Sequence, residues 1–271
     1  MKSEKGFTLI EIAIVFVIIA ALLSYAFMPL RAQLETKNIK EARTKLTEIE
    51  EALYGFAIAN NRLPCPTQPG QNGISVPPDP TLMANPHCNN NAAINGYIGF
   101  VPSATLGIKG KVNCDGLLID PWGRPYMYSV SHFEDPVLNQ GSIVVTGGIA
   151  AAGGPNNITV ASNQLIKICN NLTQNCNAGA GSYSADEAYA VIFSMGNRQI
   201  ANSTEEDENA GEGAARASTC GLPAYEVGAD RFYYSAERKE RAGEEFDDTV
   251  TWISPNILFA KLLQAGHTIS P

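Results

Sequence analysis

The sequence predicts an α+β fold in which one long N-terminal helix packs against an antiparallel β-sheet. Residues 7–30 are apolar, with Glu11 as their only charged residue, and residues 31–60 continue with helical periodicity. The rest of the chain, residues 61–271, contains short apolar stretches separated by Gly, Pro and Asn, which is typical of an antiparallel sheet. The chain is therefore predicted to consist of an apolar anchor, an amphipathic helical continuation and one head.

The apolar stretch at residues 7–30 is long enough to cross a bilayer, which takes roughly 20 residues. Lys2 and Lys5 precede it, so we expect the N-terminus in the cytoplasm and the head outside it. A secretory signal peptide is the commoner explanation of such a stretch, but its apolar region has roughly 7–15 residues and ends at a small-residue cleavage site. Here the run is longer and Arg31 follows it without an A-x-A pattern, which favours a retained transmembrane helix.

Residues 31–60 are predicted to be an amphipathic continuation of the same helix. Apolar residues recur at steps of three and four, and charged residues occupy the opposite face. We expect Pro29 to kink or locally melt the helix because proline lacks a backbone N–H donor. Residues 60–64, with two Asn and a Pro, are predicted to end it. The apolar positions are Ile39, Ala42, Leu46, Ile49, Leu53 and Phe56.

Several elements are expected within the head, residues 61–271. Residues 64–96 contain seven Pro and are predicted to form a loop. Residues 147–157, rich in Gly and Ala, are expected at a hairpin tip, residues 201–216 in an exposed loop, and residues 256–265 in a closing helix. The predicted strands are residues 97–101, 117–119, 126–130, 142–146, 158–168 and 188–194.

The predicted head contains all six cysteines of the chain. An even count in an exported domain favours disulfides, and roughly 15 pairings are open. No C-x-x-C occurs, which argues against a zinc ribbon or a thioredoxin-like site. Cys169 and Cys176 lie closest together in the sequence and are the preferred pair, and the other pairings stay open. The remaining cysteines are Cys65, Cys88, Cys114 and Cys220.

The net charge of −8 is concentrated in one part of the head. Residues 201–250 hold 13 acidic and 5 basic residues, and this difference alone accounts for −8. Such an acidic surface argues against binding nucleic acid or anionic lipid through the head. It is compatible with a solvated face or with a cation site.

The sequence carries no pattern of a catalytic site. Its three His residues are isolated, and neither G-x-S-x-G nor H-E-x-x-H occurs. Cys65, His87 and Cys88 lack a fourth metal ligand at a useful spacing. We therefore predict that the protein is not an enzyme.

Residues 5–11, K-G-F-T-L-I-E, resemble the processing site of type IV prepilins and type II secretion pseudopilins. In that family a prepilin peptidase cuts after the glycine and methylates the new N-terminus. The resemblance thus implies a type IV pilin-like fold, cleavage after Gly6 and N-methylation of Phe7. It covers only the beginning of the chain.

Glu11 is expected to act in assembly. The resemblance places it where the family keeps a glutamate, and a carboxylate in an apolar helix costs about 2.5–3.5 kcal/mol on insertion scales, so such a group is retained when it has a partner. The free amine of Phe7 that cleavage creates is a cation nearby, and the amine of one subunit can meet Glu11 of the next. The alternative, a Glu that snorkels to water, explains neither Gly6 nor Phe7.

Residues 120–128, D-P-W-G-R-P-Y-M-Y, resemble a segment of the major type II secretion pseudopilin. The segment reads as a turn that leads into a strand, because Pro and Gly precede alternating aromatic residues. We expect it to pin the sheet onto the long helix, with Trp122, Tyr126 and Tyr128 as packing aromatics, and to carry no chemistry.

The same pseudopilins hold a calcium ion in a later loop, which implies Ca²⁺ bound by Asp247 and Asp248 with backbone carbonyls from residues 194–213. Calcium takes six to eight hard oxygen ligands, and acidic residues near Gly suit it. This chain departs from the family pattern through an insertion at residues 214–245 and through Asn197, which stands where an acid is expected. The alternative is an acidic solvated loop.

The combined features imply a structural subunit of a type II secretion pseudopilus or a type IV pilus-like filament. The alternative is a low-abundance minor pilin whose head binds a surface or a substrate at the filament tip. The expected partners are prepilin peptidase, other pilin or pseudopilin subunits and an inner-membrane assembly platform, and no nucleic acid. After removal of leader residues 1–6, we expect a single-pass inner-membrane protein with a periplasmic head, which is then extracted into a periplasmic or surface filament.

Overall fold

The chain divides into two compact units, Met1–Glu41 and Ala42–Pro271. The first unit contains the N-terminal part of the first helix, and the second contains the rest of that helix and both sheets. The computed structural model describes residues 8–77, 88, 97–131, 143–146, 148–151, 165–170, 183–197, 209, 217–223, 225, 232–238 and 246–267.

Helix α1 (Leu9–Asn60) is the long helix that the sequence predicts. It continues through Pro29 without interruption, so the expected local melting is wrong, and the alternative expectation, a kink, stays a prediction. A proline removes a single N–H donor, and the helical turns on both sides of it persist. The helix ends where expected, since Asn61 has a φ of 51°, a left-handed conformation that commonly terminates helices. The buried residues of its apolar face in the second unit are Ala42, Leu46, Ile49 and Leu53.

The larger sheet of the second unit has four strands and is antiparallel throughout. In the register of its two central strands, Tyr128 lies opposite Ile192 and Ser129 lies opposite Val191. In spatial order its strands are β1 (Ile98–Phe100), β2 (Met127–Val130), β5 (Ala190–Ser194) and β7 (Thr249–Ile253).

The smaller sheet has three strands and mixes both orientations. Its central strand pairs antiparallel with one neighbour and parallel with the other. A fully antiparallel sheet was expected, and the parallel pair arises because residues 170–231 separate its two strands, which is long enough for a crossover connection. In spatial order its strands are β4 (Tyr183–Ala188), β3 (Ile166–Cys169) and β6 (Phe232–Tyr234).

Alternating side chains of β5 enter two different cores and so order the second unit into layers. Ala190 and Ile192 belong to the cluster that contains the apolar face of α1. Val191 and Phe193 belong to the cluster that contains buried residues of the smaller sheet. Because successive side chains of a strand point to opposite faces, the larger sheet lies between α1 and the smaller sheet.

Three short helices complete the described structure: α2 (Ser103–Leu106), α3 (Gly148–Ala151) and α4 (Pro255–Gln264). The last confirms the predicted closing helix and buries Leu258, Phe259 and Leu262. Helix α3 lies where a hairpin tip was predicted, so that prediction is wrong for residues 148–151. The other residues of that predicted tip, 147 and 152–157, lie outside the described residues.

The predicted strands are confirmed in part. Three correspond to β1, β2 and β5. The end of the stretch predicted at residues 158–168 corresponds to β3, whereas residues 158–164 lie outside the described residues. Residues 143–146 form a turn, although Ile143 and Val144 are buried as strand residues would be. Residues 117–119 form only isolated bridges to Val112 and Pro125. In the predicted exposed loop at residues 201–216, Asn209 is fully buried.

Candidate functional site

The start of α1 is closed by reciprocal hydrogen bonds between Thr8 and Glu11. The backbone N–H and the side-chain hydroxyl of Thr8 both donate to Oε2 of Glu11, at 2.8 Å and 2.7 Å. In return the backbone N–H of Glu11 donates to Oγ1 of Thr8 at 3.4 Å. This is a capping box, in which a residue before the helix and one three positions later satisfy each other's free N–H groups. It fixes the Glu11 carboxylate at the first turn of the helix.

The side chains that follow this cap are apolar and exposed. Leu9 is 88% exposed and Ile10 is 68% exposed, and residues 8–22 are exposed without exception. The predicted cleavage and methylation residues, Gly6 and Phe7, lie outside the described residues. A cluster of exposed apolar side chains marks a surface that contacts a membrane or another protein.

The predicted membrane span at residues 7–30 is not confirmed. Within the part of the chain that the structure describes, no helix combines the length and the apolar character that a bilayer crossing requires. The span therefore stays a prediction.

The segment at residues 120–128 begins with a turn that Asp120 organises. Oδ1 of Asp120 accepts hydrogen bonds from the backbone N–H groups of Trp122 and Arg124, at 3.0 Å and 2.8 Å. Its Oδ2 accepts a hydrogen bond of 2.6 Å from the hydroxyl of Ser194, at the end of β5. Burial raises the pKa of Asp120 despite these donors and the nearby guanidinium of Arg124, which lower it. The turn is thus joined to the sheet through a buried carboxyl group.

Two of the three predicted packing aromatics of this segment lie in the core with α1, whereas Trp122 is half-buried and lies outside that cluster. Tyr126 and Tyr128 are buried in the same cluster as Leu46 and Ile49 of α1. The hydroxyl of Tyr128 donates to the carbonyl of Pro64 at 2.9 Å, which connects the sheet to the chain that leaves α1.

The residues predicted to hold calcium accept hydrogen bonds from nitrogen donors. Oδ2 of Asp247 accepts from the backbone N–H of Asn197 at 2.7 Å. Oδ2 of Asp248 accepts from Nδ2 of Asn209 at 2.9 Å. Asn209 also exchanges two hydrogen bonds with the backbone of Tyr234, through Nδ2 at 2.9 Å and Oδ1 at 2.7 Å. The two acids are therefore parts of hydrogen-bonded connections between loops.

These groups fit a calcium ion poorly. Calcium requires six to eight oxygen ligands, and one oxygen of each acid is already directed at an N–H group. Among the described residues, the one group of three or more acidic, His or Cys side chains close enough to share a metal lies elsewhere, at residues 114, 115 and 220. Calcium binding by Asp247 and Asp248 stays a prediction, and these hydrogen bonds weigh against it.

The group at residues 114, 115 and 220 is a structural junction. Cys114 and Cys220 form a disulfide, with Cα atoms 6.1 Å apart, so neither is a thiolate that could bind a metal. Oδ1 of Asp115 accepts two bonds of 2.6 Å, from the backbone N–H and the hydroxyl of Thr219. Its Oδ2 accepts from the hydroxyls of Ser218 at 2.7 Å and Tyr225 at 2.6 Å.

These donors determine the protonation of Asp115. Burial alone would raise the pKa of its carboxyl, but the hydrogen bonds from Thr219, Tyr225 and Ser218 outweigh that effect and hold the pKa at about 2. Although Asp115 is fully buried, this low pKa keeps it a carboxylate at neutral pH. Its hydrogen bonds hold Ser218, Thr219 and Tyr225 in place.

The cysteines form disulfides, as the sequence predicts for an exported head. A second bond joins Cys65 to Cys88, with Cα atoms 5.4 Å apart. Cys169 is also disulfide-bonded. Cys176, its preferred partner, lies outside the described residues, so that pairing stays a prediction.

Some of these interactions could have been found in the sequence and others could not. The capping box has a known signature, Thr followed three positions later by Glu, and residues 8–11 carry it. Asp115 has no such signature, because its partners lie 103 to 110 residues later. The same is true of Asn209, whose partners Tyr234 and Asp248 are 25 and 39 residues away.

Comparison with known proteins gives a family model and several relatives. Residues 1–27 match the model described as "Prokaryotic N-terminal methylation motif". The chain is 30% identical over 126 residues to the type II secretion system core protein G of Klebsiella pneumoniae, covering 46% of this chain and 74% of that protein.

Two further proteins of the same name are similar to this chain. The one from Escherichia coli strain K12 is 28% identical over 125 residues, covering 46% of this chain and 71% of that protein. The one from Vibrio cholerae is 27% identical over 128 residues, covering 47% of this chain and 72% of that protein. No solved structure matches the chain.

Proposed function

The chain belongs to the type IV pilin and pseudopilin family, and on that premise we propose that it is a structural subunit of a type II secretion pseudopilus. The similarity to core G proteins of type II secretion systems carries this proposal. A structural role also agrees with the described head, whose polar contacts connect loops to one another and to the end of β5. We accordingly assign the protein no catalytic activity.

Processing by a prepilin peptidase is the first step of the proposed function. The methylation motif at residues 1–27 supports cleavage between Gly6 and Phe7 and N-methylation of Phe7. Removal of residues 1–6 creates a new amino terminus two positions before the capped start of α1.

Before assembly, residues 7–30 would anchor the protein in the inner membrane with the head in the periplasm. The exposure of every side chain at residues 8–22 supports this proposal, since apolar side chains require an apolar surrounding. In the filament, neighbouring subunits would take the place of lipid. Extraction from the membrane would require an inner-membrane assembly platform, which we propose as a further partner.

Glu11 would set the position of each added subunit. Its carboxylate lies at the first turn of α1, where Thr8 orients it, and we propose that it pairs with the methylated amine of Phe7 in the next subunit. An ion pair is favoured there because a lone carboxylate in an apolar environment costs about 2.5–3.5 kcal/mol. The capping box is a second function of the same side chain, and an experiment must separate the two.

The substitution Glu11→Gln makes this separation. Gln at this position of a capping box still accepts the hydrogen bonds of Thr8, but it has no charge for an amine. We expect Glu11→Gln to be cleaved and N-methylated normally, which mass spectrometry of the mature N-terminus measures. Filament content, measured by immunoblotting of sheared filaments, should fall at least about ten-fold, because a loss above roughly 1.4 kcal/mol has that effect.

Thr8→Ala is the matched control. It removes the cap, which costs about 1 kcal/mol of helix stability, and leaves the charge of Glu11 in place. We expect this variant to enter filaments. Normal assembly of Glu11→Gln would overturn the charge-pairing role, and failure of Thr8→Ala alone would assign the assembly role to the cap.

The size of the head favours one second candidate, a minor subunit at the filament tip. The match covers 74% of the Klebsiella protein but 46% of this chain, so this chain carries much material that its relative lacks. Such material could display a surface for an adhesive contact or a secreted substrate. Immunogold counting of this subunit on native filaments distinguishes the candidates, because a main subunit labels the whole filament and a tip subunit labels its end.

A further inference from the structure

The loop that follows β5 is held from one side by an arginine. Nη1 of Arg124 donates to the carbonyl of Met195 at 3.1 Å, and Nη2 donates to the carbonyl of Asn197 at 3.0 Å. The two carbonyls flank Gly196, which turns the chain with a φ of 65°. A guanidinium presents several N–H donors in one rigid plane and stays charged at any ordinary pH, so it can bind both carbonyls at once.

The same loop is held from the other side by acids. The backbone N–H of Asn197 donates to Asp247. The hydroxyl of Ser194 donates to Asp120, which in turn accepts the backbone N–H of Arg124. Two carbonyls of the loop thus bind a cation, while one of its backbone N–H groups, that of Asn197, and the side-chain hydroxyl of Ser194 bind carboxylates.

This arrangement uses two carbonyls and two carboxylate oxygens that a calcium ion would need. The carbonyls expected as ligands come from residues 194–213, and two of them bind Arg124 instead. A calcium ion on the same carbonyls would lie close to the guanidinium, and two cations at that distance repel each other. One oxygen of Asp247 and one of Asp248 are likewise directed at nitrogen donors.

We propose that the guanidinium of Arg124 replaces a bound metal in this chain and closes the 194–197 loop without calcium. Arg124 is then a positioning residue for the loop and, through Asn197 and Asp247, for the chain that enters β7. The inference concerns the stability of the head and does not depend on the proposed filament role.

The full-length protein, purified in detergent, tests this proposal by thermal unfolding in calcium chloride and in a calcium chelator. We expect the melting temperature of the parent protein to be the same in both within about 1 °C, whereas a calcium site filled at 100 times its Kd would raise it by roughly 5–10 °C. Arg124→Met should lower it by roughly 3–8 °C in both conditions, because two charge-assisted hydrogen bonds are lost.

Two further variants complete the design. Lys111→Met removes one positive charge from an exposed side chain of the same head and should leave the melting temperature unchanged. Arg124→Lys keeps the charge but lacks the planar fork, so its melting temperature should fall between those of the parent and Arg124→Met. It also serves as the test variant if Arg124→Met does not fold.

Two results would overturn the proposal. One is a parent protein that melts several degrees higher with calcium than with chelator, since that requires a bound ion. The other is an Arg124→Met or Arg124→Lys protein that melts at the same temperature as Lys111→Met. Neither result bears on filament assembly, so failure here and failure of the proposed function are separate findings.

Discussion

Asp115 concentrates four hydrogen bonds on one buried carboxylate, and all four come from residues 218–225. The pKa of its carboxyl is held at about 2, below the value of about 3.9 that an unfolded Asp has. Between these values the unfolded chain binds a proton that the folded protein does not. The free energy of unfolding therefore decreases as pH falls from about 4 to about 2.

We predict that Asp115→Asn destabilises the protein by about 2 kcal/mol at neutral pH. The substituted amide turns an N–H₂ group toward hydroxyl and N–H donors, and hydrogen bonds to a charged group contribute about 1.5–3 kcal/mol. The difference from the parent should shrink as pH approaches 2, because the parent then loses the same charge. Chemical denaturation at several pH values measures both effects.

Glu41→Gln is the control for this prediction, because Glu41 is an exposed acid. It should change neither the stability at neutral pH nor the acid sensitivity. A constant difference between Asp115→Asn and the parent from neutral pH down to about pH 2 would contradict the assignment of that sensitivity to Asp115.

Among the secondary-structure elements, the long helix was predicted best, because its apolar residues recur over many turns. Ala42, Leu46, Ile49 and Leu53 are buried as expected, and Phe56 is half-buried. Strands β4, β6 and β7 were not predicted, and their length is not the reason, because β1 and β5 are as short as β6 and β7 and were predicted. A strand was wrongly predicted at residues 142–146. These residues are apolar because Ile143 and Val144 lie in a turn whose side chains pack into the core.

Two glycines in different elements should respond in opposite directions to alanine. Gly55 lies in α1 with open space around it, and Ala in a helix is more stable than Gly by about 0.5–1 kcal/mol. Gly196 lies at φ +65°, and an added Cβ would be 2.6 Å from Cγ and from the backbone O of Asp247. We predict that Gly55→Ala raises the melting temperature by roughly 1–4 °C and that Gly196→Ala lowers it.

Calorimetry on both variants measures this prediction, and each variant controls for the added methyl group of the other. A Gly196→Ala protein as stable as the parent would mean that the 194–197 loop is not packed against Asp247 as described. A Gly55→Ala protein that is less stable would mean that the exposed side of this helical turn is covered.

At the scale of the whole chain, the head combines a layered core with an additional segment that the family resemblance did not explain. The layers follow from patterns within the sequence, since α1 has periodic apolar residues and β5 has a continuous apolar run, which is typical of a strand buried on both faces. The contacts of the segment at residues 217–225 do not, because they join residues more than 100 positions apart. Loop closure over such distances leaves no local trace in composition or spacing.

Two ties hold this segment to the turn at residues 113–116: the disulfide Cys114–Cys220 and the hydrogen bonds of Asp115. Either tie alone keeps the segment near the turn, so the second should be most important when the first is absent. Interactions that share partners in this way are expected to be non-additive, with coupling energies of about 0.5–3 kcal/mol.

We therefore predict faster exchange of the amide hydrogens of residues 217–222 in a protein that combines Asp115→Asn with Cys114→Ser and Cys220→Ser. The rate should exceed the product of the two separate effects by about five-fold for a coupling of about 1 kcal/mol. Hydrogen exchange followed by mass spectrometry measures it. Replacing the other pair, Cys65 and Cys88, by Ser is the control and should leave these amides unchanged, because it closes a different loop. Strictly multiplicative effects would show that the two ties act independently.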